Sequence, residues 1–438
     1  MTKRLTLVLL ILGLVSISAS AQFNFGGETV KLGQSVWFGT FYNSLTNSRF
    51  DEPQFRQRWE DVEREFNVSL EWEFVTSGWP SSEAIGYLFP KVTAGEGNVI
   101  AVTTDTIIPI LVAHGLLMPL TEWINDEYFE RLPAPLKPTE RFSRFLGENW
   151  AFQFGPIMGT EAAGVFWNKE LFAKYGLPDL YELYEAGEWT WEAMEEIALK
   201  LTQDTTGDGR IDQIGVALRD GRLDWRAYTY WVYTNNGSTI REVNGEIIFA
   251  LDEEASIESF EFWRRLLARH AVGGSWEFDL GNVGMLIDFA DRIRYMRGVD
   301  FEFGFLPLPK GPRAKNHVAV EYGRWVAVLP VTAENPEGLI ELWHALYGLA
   351  TPYITDLEAW EEQYYTQYSY LARDQESIKH FRWVTENSQP VELLDVFASV
   401  PDFPMTVIDI LEGRIDAAQG MAKVKPSVQA LIDELFDQ

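Results

Sequence analysis

Short apolar stretches alternate with longer amphipathic segments along the first part of the chain. Residues 30–40, 68–75 and 98–103 have the apolar runs or alternation typical of strands. Residues 55–66 and 107–114 repeat apolar side chains at helical spacing. This succession of strands and helices predicts α/β layers around a largely parallel sheet.

The same alternation returns further along the chain. Residues 162–168, 283–288 and 324–331 are typical of buried strands, and 190–202 form a strongly amphipathic helical pattern with Thr190 at the N-cap position. Beyond Pro352 the pattern is helical. We therefore expect two α/β lobes.

The N-terminus has the pattern of an export signal. Lys3 and Arg4 precede the apolar residues 5–17, and Ser-Ala-Ser-Ala follows at 18–21. This predicts a signal peptide over 1–21, with an uncleaved anchor helix as the alternative. The chain has no cysteine, so we expect neither disulfides nor a lipid anchor. A periplasmic location is expected, with release from the cell as the other option.

Charge and aromatic content narrow the expected partners. The chain has 36 Lys and Arg against 65 Asp and Glu, a formal net charge of −29. Such a field repels phosphate backbones and anionic membranes, which argues against nucleic acid and membrane-surface partners. The 17 Trp and 17 Tyr supply rings that stack on sugars, although many of these rings must also fill the core.

Six segments in a fixed order resemble the carbohydrate-binding family of extracellular solute-binding proteins of ABC transporters, the maltodextrin-binding-protein-like family 1. The resemblance covers nearly all of the chain after residue 21. Its carriers are "VIAVTTDTIIPILVAHGLLMPLTEWI" (99–124), "GTEAAGVFWNKELFAKYGLP" (159–178), "LTQDTTGDGRIDQIGVAL" (201–218), "VGMLID" (283–288), "GFLPLPKGP" (304–312) and "RWVAVLPVTAENPEGLIELWHAL" (324–346).

The resemblance implies a two-lobe periplasmic-binding-protein-like (type II) fold. Each lobe would be a mixed, mostly parallel sheet flanked by helices, with hinge strands between the lobes and a sugar bound in the cleft. It also implies a monomer that docks transiently on a membrane ABC permease. The expected division is 22–160 with 305–350 for the N-terminal lobe, and 161–304 with 351–438 for the C-terminal lobe.

Two acidic residues are candidate ligand contacts. Asp105 follows a buried-type strand and opens a helix, which places it at the edge of the sheet where α/β proteins bind ligands. The resemblance implies a sugar contact there, and a helix N-cap is the alternative. Glu161 lies among small residues at the expected crossing between lobes, where burial without a partner is costly. It is a candidate sugar contact, or a hydrogen-bonding hinge residue.

Aromatic residues near strand ends are candidate stacking surfaces, with core packing as the alternative for each one. The candidates are Trp37, Phe38, Trp231, Tyr233, Tyr322 and Trp325. The chain departs from the family after "VGMLI", where many members have a Trp in the pocket. Here Asp288 occupies this region, with Arg292 close behind it, and both offer hydrogen bonds. Together with Arg324, Arg292 leaves an acidic sugar open as a ligand.

Two other functions are weighed against sugar capture. A secreted glycosidase needs two suitably spaced carboxylates, and 65 acidic residues always provide some pair. The five histidines show no metal-binding spacing, and the sequence has no G-x-S-x-G, H-E-x-x-H or P-loop motif. We therefore expect no catalysis. A binding protein for a solute other than sugar is the remaining alternative.

The stretch "DTTGDGRID" at 204–212 has the beginning of a calcium-binding loop. Its spacing matches the first nine positions of an EF-hand loop, but Gly215 stands where the twelfth-position Glu is required. The resemblance includes relatives that hold calcium in such a loop. We expect one structural Ca²⁺, with a self-satisfied Asx turn as the alternative. The candidate ligands are Asp204, Thr206, Asp208, the Arg210 carbonyl, Asp212 and Gln213.

Overall fold

The computed structural model describes residues 23–35, 52–76, 82–155, 161–219, 221, 224–269 and 272–436. Trp37 and Phe38 lie outside these residues. No helix in the described ranges is long and apolar enough to cross a membrane.

The first part of the chain forms most of one lobe. Its elements are β1 (Thr29–Ser35), α1 (Glu52–Phe66), β2 (Ser69–Thr76), α2 (Ser82–Thr93), β3 (Val99–Thr104), α3 (Ile108–Ala113), α4 (Asp126–Glu130), α5 (Thr139–Ser143), β4 (Arg144–Phe145), β5 (Glu148–Asn149) and β6 (Phe152–Gln153).

The middle of the chain forms the sheet of the second lobe and its first helices. Its elements are β7 (Ala163–Asn168), α6 (Lys169–Lys174), α7 (Leu180–Glu185), α8 (Trp191–Leu201), β8 (Ile214–Leu218), α9 (Tyr228–Thr234), β9 (Ile240–Val243), β10 (Glu246–Phe249), α10 (Glu254–Arg269), β11 (Val272–Gly273), α11 (Ser275–Asp279), β12 (Val283–Phe289) and β13 (Phe303–Pro307).

The last part of the chain begins between the lobes and becomes helical. Its elements are β14 (Ala319–Glu321), β15 (Trp325–Val328), α12 (Pro336–Tyr347), α13 (Leu357–Ser369), α14 (Gln375–Asn387), β16 (Ser388–Pro390), α15 (Leu394–Ala398), α16 (Asp402–Leu411) and α17 (Ala417–Phe436).

Each lobe contains a five-stranded mixed sheet. The first sheet has the strand order β2-β1-β3-β15-β6, and the second has the order β11-β8-β12-β7-β13. In the first sheet β1 runs parallel to β2 and β3, whereas β15 runs antiparallel to β3 and β6. The predicted two-lobe α/β fold is confirmed. In the second sheet β7 runs antiparallel to β12 and β13.

One predicted lobe boundary is corrected by strand pairing. Phe303–Pro307 pairs with β7 in the second sheet, so the chain has not yet left the second lobe at residue 305. It rejoins the first sheet only at β15. The sequence pattern shows an apolar strand at 303–307 but does not show which sheet that strand joins.

Local capping explains why the most recognisable segments fold as they do. The Asn168 side chain accepts hydrogen bonds of 3.1 Å from the backbone N–H groups of Glu170 and Leu171, which starts α6 directly after β7. The Thr190 hydroxyl likewise accepts from Ala193 N at the start of α8. The buried face of α8 consists of Trp191, Met194, Ile197, Ala198 and Leu201, as its helical spacing predicts.

The C-terminal helix connects the two lobes. Most of α17 packs in the core of the second lobe, through Met421, Val424 and Val428. At its end, the ring of Phe436 contacts that of Phe145 in the first lobe, with 5.0 Å between the ring centroids. The end of α17 therefore lies at the junction between the lobes.

Candidate functional site

We call the junction between the lobes the seam and define it by Asp105, Glu161, Asp288, Glu321 and Arg324. The antiparallel pairing of β15 with β3 places Arg324 beside Asp105, because the neighbouring residues Trp325 and Thr104 are opposite each other. Consequently Asp105 N donates a 2.9 Å hydrogen bond to the Arg324 carbonyl oxygen. Ala162 forms a bridge with Glu321, which brings Glu161 to the same place.

Asp105 is a buried carboxylate with a free oxygen. Its side chain is 7% exposed, and Oδ1 has no hydrogen-bond partner. The cap residues of the turn and helix that follow are Thr104 and Ile107, and neither makes a side-chain capping bond. Asp105 does not occupy the N-cap position suggested as its alternative role. Burial and the Glu321 carboxylate raise its pKa well above the usual range, against the opposing effect of Arg324.

Glu321 and Arg324 form a buried ion pair in the seam. Arg324 Nη2 lies 2.8 Å from Glu321 Oε2, and the two residues are 7% and 3% exposed respectively. The same Nη2 donates to Ser388 Oγ at 3.0 Å, and the guanidinium lies over the Phe142 ring at 4.5 Å. Its charge is therefore already balanced by Glu321 rather than by Asp105.

Glu161 faces a mixed electrostatic environment. It is half-buried, and burial raises the pKa of its carboxyl well above the usual range. Asp291 and Glu321 raise the pKa further, whereas Arg219 and Arg294 lower it. Glu161 makes no hydrogen bond or ion pair with another described residue. Its neighbour Ala162, rather than Glu161 itself, makes the backbone connection between the lobes.

Asp288 lies at the end of β12 and is 2% exposed. Its Oδ1 accepts a 2.7 Å hydrogen bond from Phe289 N. Arg219 Nη1 lies 4.0 Å from Oδ1, and Arg292 Nε lies 3.7 Å from Oδ2. The two cations lower the pKa of Asp288, but the effect of burial is larger and raises this pKa to about 7.

Two of the predicted aromatic residues lie beside the seam. Tyr322 is 5% exposed, and its ring stacks on Tyr230 at 5.2 Å and 8°. Its hydroxyl accepts from Thr229 Oγ1 at 2.7 Å and donates to the Arg226 carbonyl oxygen. Trp325 is half-buried and its ring lies 6.3 Å from that of Phe154. Tyr322 is thus a packed residue beside the seam, while Trp325 keeps part of its surface accessible to solvent.

Trp231 and Tyr233 lie in the core of the second lobe instead. Trp231 is 0% exposed, with edge-on ring contacts to Trp191 at 6.1 Å and Phe262 at 5.1 Å. The Tyr233 hydroxyl is within 3.1 Å of Thr239 Oγ1. Every residue of α9 is buried, so neither ring offers a stacking surface to a sugar. The hypothesis of ligand stacking at these two positions is corrected to core packing.

Sequence reasoning missed one seam residue and one residue beside the seam, which come from distant parts of the chain. One is Glu321, which directly precedes the candidate stacking residue Tyr322. A carboxylate next to a residue expected in the cleft is a sequence signal that points to it. Asp395 lies on α15, and its Oδ2 accepts a 2.6 Å hydrogen bond from Thr106 Oγ1 in the first lobe. No pattern near residue 395 points to this contact.

The loop at 204–212 satisfies its own carboxylates. Asp204 accepts from the backbone N–H groups of Gly207 at 2.6 Å and Gly209 at 2.7 Å, and Asp212 accepts from Thr205 N at 2.8 Å. Gln213 is 5% exposed and donates to the Leu201 carbonyl oxygen at 2.7 Å.

In this arrangement the carboxylates serve as turn-stabilising acceptors, and Gln213 faces away from the loop. Among the residues that the structure describes, no group of three or more acidic or histidine side chains is arranged to hold a metal. The observed geometry fits the Asx turn, and the calcium site stays a prediction.

The fold and the seam define the class of two-lobe proteins that enclose a solute between α/β lobes. Residues 52–348 match the model of the bacterial extracellular solute-binding protein family. The chain belongs to this family. It is a family of binding proteins, so the glycosidase alternative is set aside.

Solved structures with the same fold share little sequence with the chain. An extracellular solute-binding protein from Staphylococcus aureus in complex with maltose superposes with a TM-score of 0.65 at 12% identity, covering 93% of this chain and 98% of that chain. A cyclic α-maltosyl-1,6-maltose-binding protein from Arthrobacter globiformis gives 0.62 at 15% identity, covering 92% and 98%. A maltose/maltodextrin-binding domain from Bdellovibrio bacteriovorus bound to maltotriose gives 0.58 at 13% identity, covering 94% and 100%. No curated protein matches the chain.

Proposed function

We propose that the protein captures an oligosaccharide at the seam and delivers it to an ABC importer. The observation that carries this proposal is the buried Asp105 carboxylate at the junction of the lobes, with Oδ1 left without a partner. A buried acceptor without a donor is costly, and a ligand hydroxyl placed there removes this cost. Three structural neighbours with this fold have maltose, a cyclic maltosyl sugar or maltotriose as ligands by name, which supports a sugar.

The seam suits capture by closure of the lobes. Asp105 and Trp325 come from the first lobe, whereas Glu161 and Asp288 lie where the chain enters the second sheet. A ligand that contacts both sets favours the closed arrangement through its differential contacts. Carboxylates accept hydrogen bonds from sugar hydroxyls, and the accessible part of Trp325 offers an apolar surface for a sugar ring.

Export and docking complete the proposal. The predicted signal peptide at 1–21 and the absence of cysteine support a periplasmic protein without a lipid anchor. Membership of the family supports docking on a membrane permease, and we propose that the protein acts as a monomer. Mass spectrometry of the exported protein tests the first point, since cleavage leaves Gln22 as the first residue.

A thermal-shift screen tests the sugar itself. We expect at least one oligosaccharide to raise the melting midpoint, because a ligand that binds the native state stabilises it. Amino acids, peptides and polyamines form the comparison panel. If only those solutes shift the midpoint, the protein binds a solute other than sugar. Product analysis after prolonged incubation with the same glycans checks for turnover, which a binding protein does not show.

A further inference from the structure

We propose that the sugar carries a positively charged amino group, which binds in the seam at Asp105. This inference rests on the proposed function and specifies the ligand class for the same site. It is carried by the pairing of charges around Asp105 and Glu161. Within the described part of the chain, the nearby cations have acidic partners, whereas these two acidic side chains have no cationic partner.

The guanidinium groups near the seam have carboxylate partners of their own. Arg324 is held by Glu321 at 2.8 Å, and Arg294 is held by Asp291 at 2.6 Å. Arg226 lies 3.0 Å from Asp224, and Arg292 pairs closely with Asp279. Arg219 lies over the Phe289 ring at 4.1 Å and 4.0 Å from Asp288.

Among the residues that the structure describes, the seam side chains without an ion-pair partner are acidic. Asp105 and Glu161 make no ion pair with a cation of the described ranges, and Asp395 is held by the Thr106 hydroxyl. Asp105 is 7% exposed, so water does not compensate its charge well. Glu321 adds to the negative potential at both Asp105 and Glu161, because it lies electrostatically close to each of them.

An ammonium group satisfies this site better than a neutral or acidic sugar does. It supplies three N–H donors and a positive charge, and a charge-assisted hydrogen bond is about twice as strong as a neutral one. A hydroxyl supplies one donor and leaves the carboxylate charge uncompensated. A carboxylate-bearing sugar is repelled by Asp105 and by the protein as a whole, whose net charge of −29 also concentrates cations around it.

Calorimetry with matched saccharides tests the proposal. Each set contains a neutral sugar, its 2-amino counterpart, the N-acetylated form and the uronic acid, on glucose and on β-1,4- and α-1,4-linked disaccharide frames. We expect the amine to bind about tenfold tighter than its neutral and N-acetylated partners, with the uronic acid weakest. The inference is overturned if a neutral, N-acetylated or acidic member binds as tightly as the amine.

Two variants assign the effect to the seam. Asp105→Asn keeps the shape and removes the charge, so the ratio of the affinity for the amine to the affinity for its neutral partner should fall at least about fivefold. Asp300→Asn removes an exposed carboxylate and should leave the preference unchanged. Melting curves show whether both variants are folded. An unchanged preference in Asp105→Asn contradicts the assignment.

The outcomes separate this inference from the proposed function. Tight binding of a neutral sugar with discrimination against its amine overturns the inference and leaves sugar capture standing. Binding of amino acids or polyamines without any saccharide overturns both.

Discussion

Thr106 in the first lobe donates a 2.6 Å hydrogen bond from Oγ1 to Oδ2 of Asp395 in the second lobe. Thr106 follows Asp105 in the same short turn, so this bond joins the lobes immediately beside the candidate ligand contact. Burial raises the pKa of the Asp395 carboxyl, and the Thr106 hydrogen bond counteracts this rise. The contact therefore connects closure of the seam to the position of Asp105.

We predict that Thr106→Val weakens ligand binding and stability together. The substitution keeps the side-chain shape and removes two hydrogen bonds of Thr106 Oγ1, one to Asp395 Oδ2 and one with Thr104 Oγ1 at 3.1 Å. The loss of each bond costs about 1–2 kcal/mol. We expect a several-fold rise in Kd by calorimetry and a lower free energy of unfolding in urea. Thr93→Val is the control, because its hydroxyl bonds the Phe89 carbonyl oxygen within the exposed side of one helix. Equal effects of the two substitutions contradict a role for the bond between lobes.

We predict that Glu321→Gln strongly destabilises the protein. It leaves the Arg324 guanidinium, which is 7% exposed, without its anionic partner. Breaking a buried pair in this way costs about 3–5 kcal/mol. Urea denaturation measures the loss.

The matched control is Glu376→Gln, which breaks an exposed pair with Lys379. Exposed pairs contribute about 0–1 kcal/mol, so this variant should remain close to the parent protein. A loss of stability in Glu321→Gln no larger than that of the control is inconsistent with a stabilising pair in the seam.

We predict that the free energy of unfolding falls less steeply with rising pH in Asp288→Asn than in the parent protein. The folded pKa of about 7 lies above the ordinary aspartate value of 3.8. The folded state thus binds more protons than the unfolded state between these pH values, and stability falls as the pH rises through this window. Each unit of pKa shift corresponds to about 1.4 kcal/mol, so the full effect is on the order of 4 kcal/mol.

The measurement is the free energy of unfolding of both proteins from pH 4 to pH 8. The stability of Asp288→Asn relative to the parent should increase up to about pH 7 and then level off. A difference that is independent of pH between 4 and 7 contradicts the raised pKa.

The calcium prediction for the loop at 204–212 is tested by chelation. A bound ion stabilises the native state, so excess chelator should lower the melting midpoint and added Ca²⁺ should restore it. Asp208→Asn should abolish this response. An unchanged midpoint contradicts the calcium site and favours the Asx turn. In that turn, Asp204 and Asp212 stabilise the loop by accepting hydrogen bonds from backbone N–H groups.

Local patterns predicted the elements well, because the signals lie within one element. The amphipathic spacing of α8 and the cap at Asn168 each concern neighbours in sequence. Asp105 was placed at the edge of the sheet by the same reasoning, since it directly follows a buried strand.

The parts of the site that sequence did not predict depend on distant contacts or on complete burial. Asp395 reaches Thr106 across 289 positions of the chain. Trp231 and Tyr233 belong to a helix that is buried on all sides, so periodicity gives no face that points to a ligand. The strand at 303–307 has an apolar pattern that suits either sheet, and only its pairing with β7 decides between them.

The contact between Phe145 and Phe436 gives the end of α17 a practical use. Because α17 is anchored in one lobe and its last ring touches the other, any movement that separates the lobes changes the surroundings of this end of the helix. An environment-sensitive dye attached near residue 436 would report opening and closing without any substitution at the seam. The same geometry argues for placing purification tags on a long linker, so that they do not wedge between the two rings.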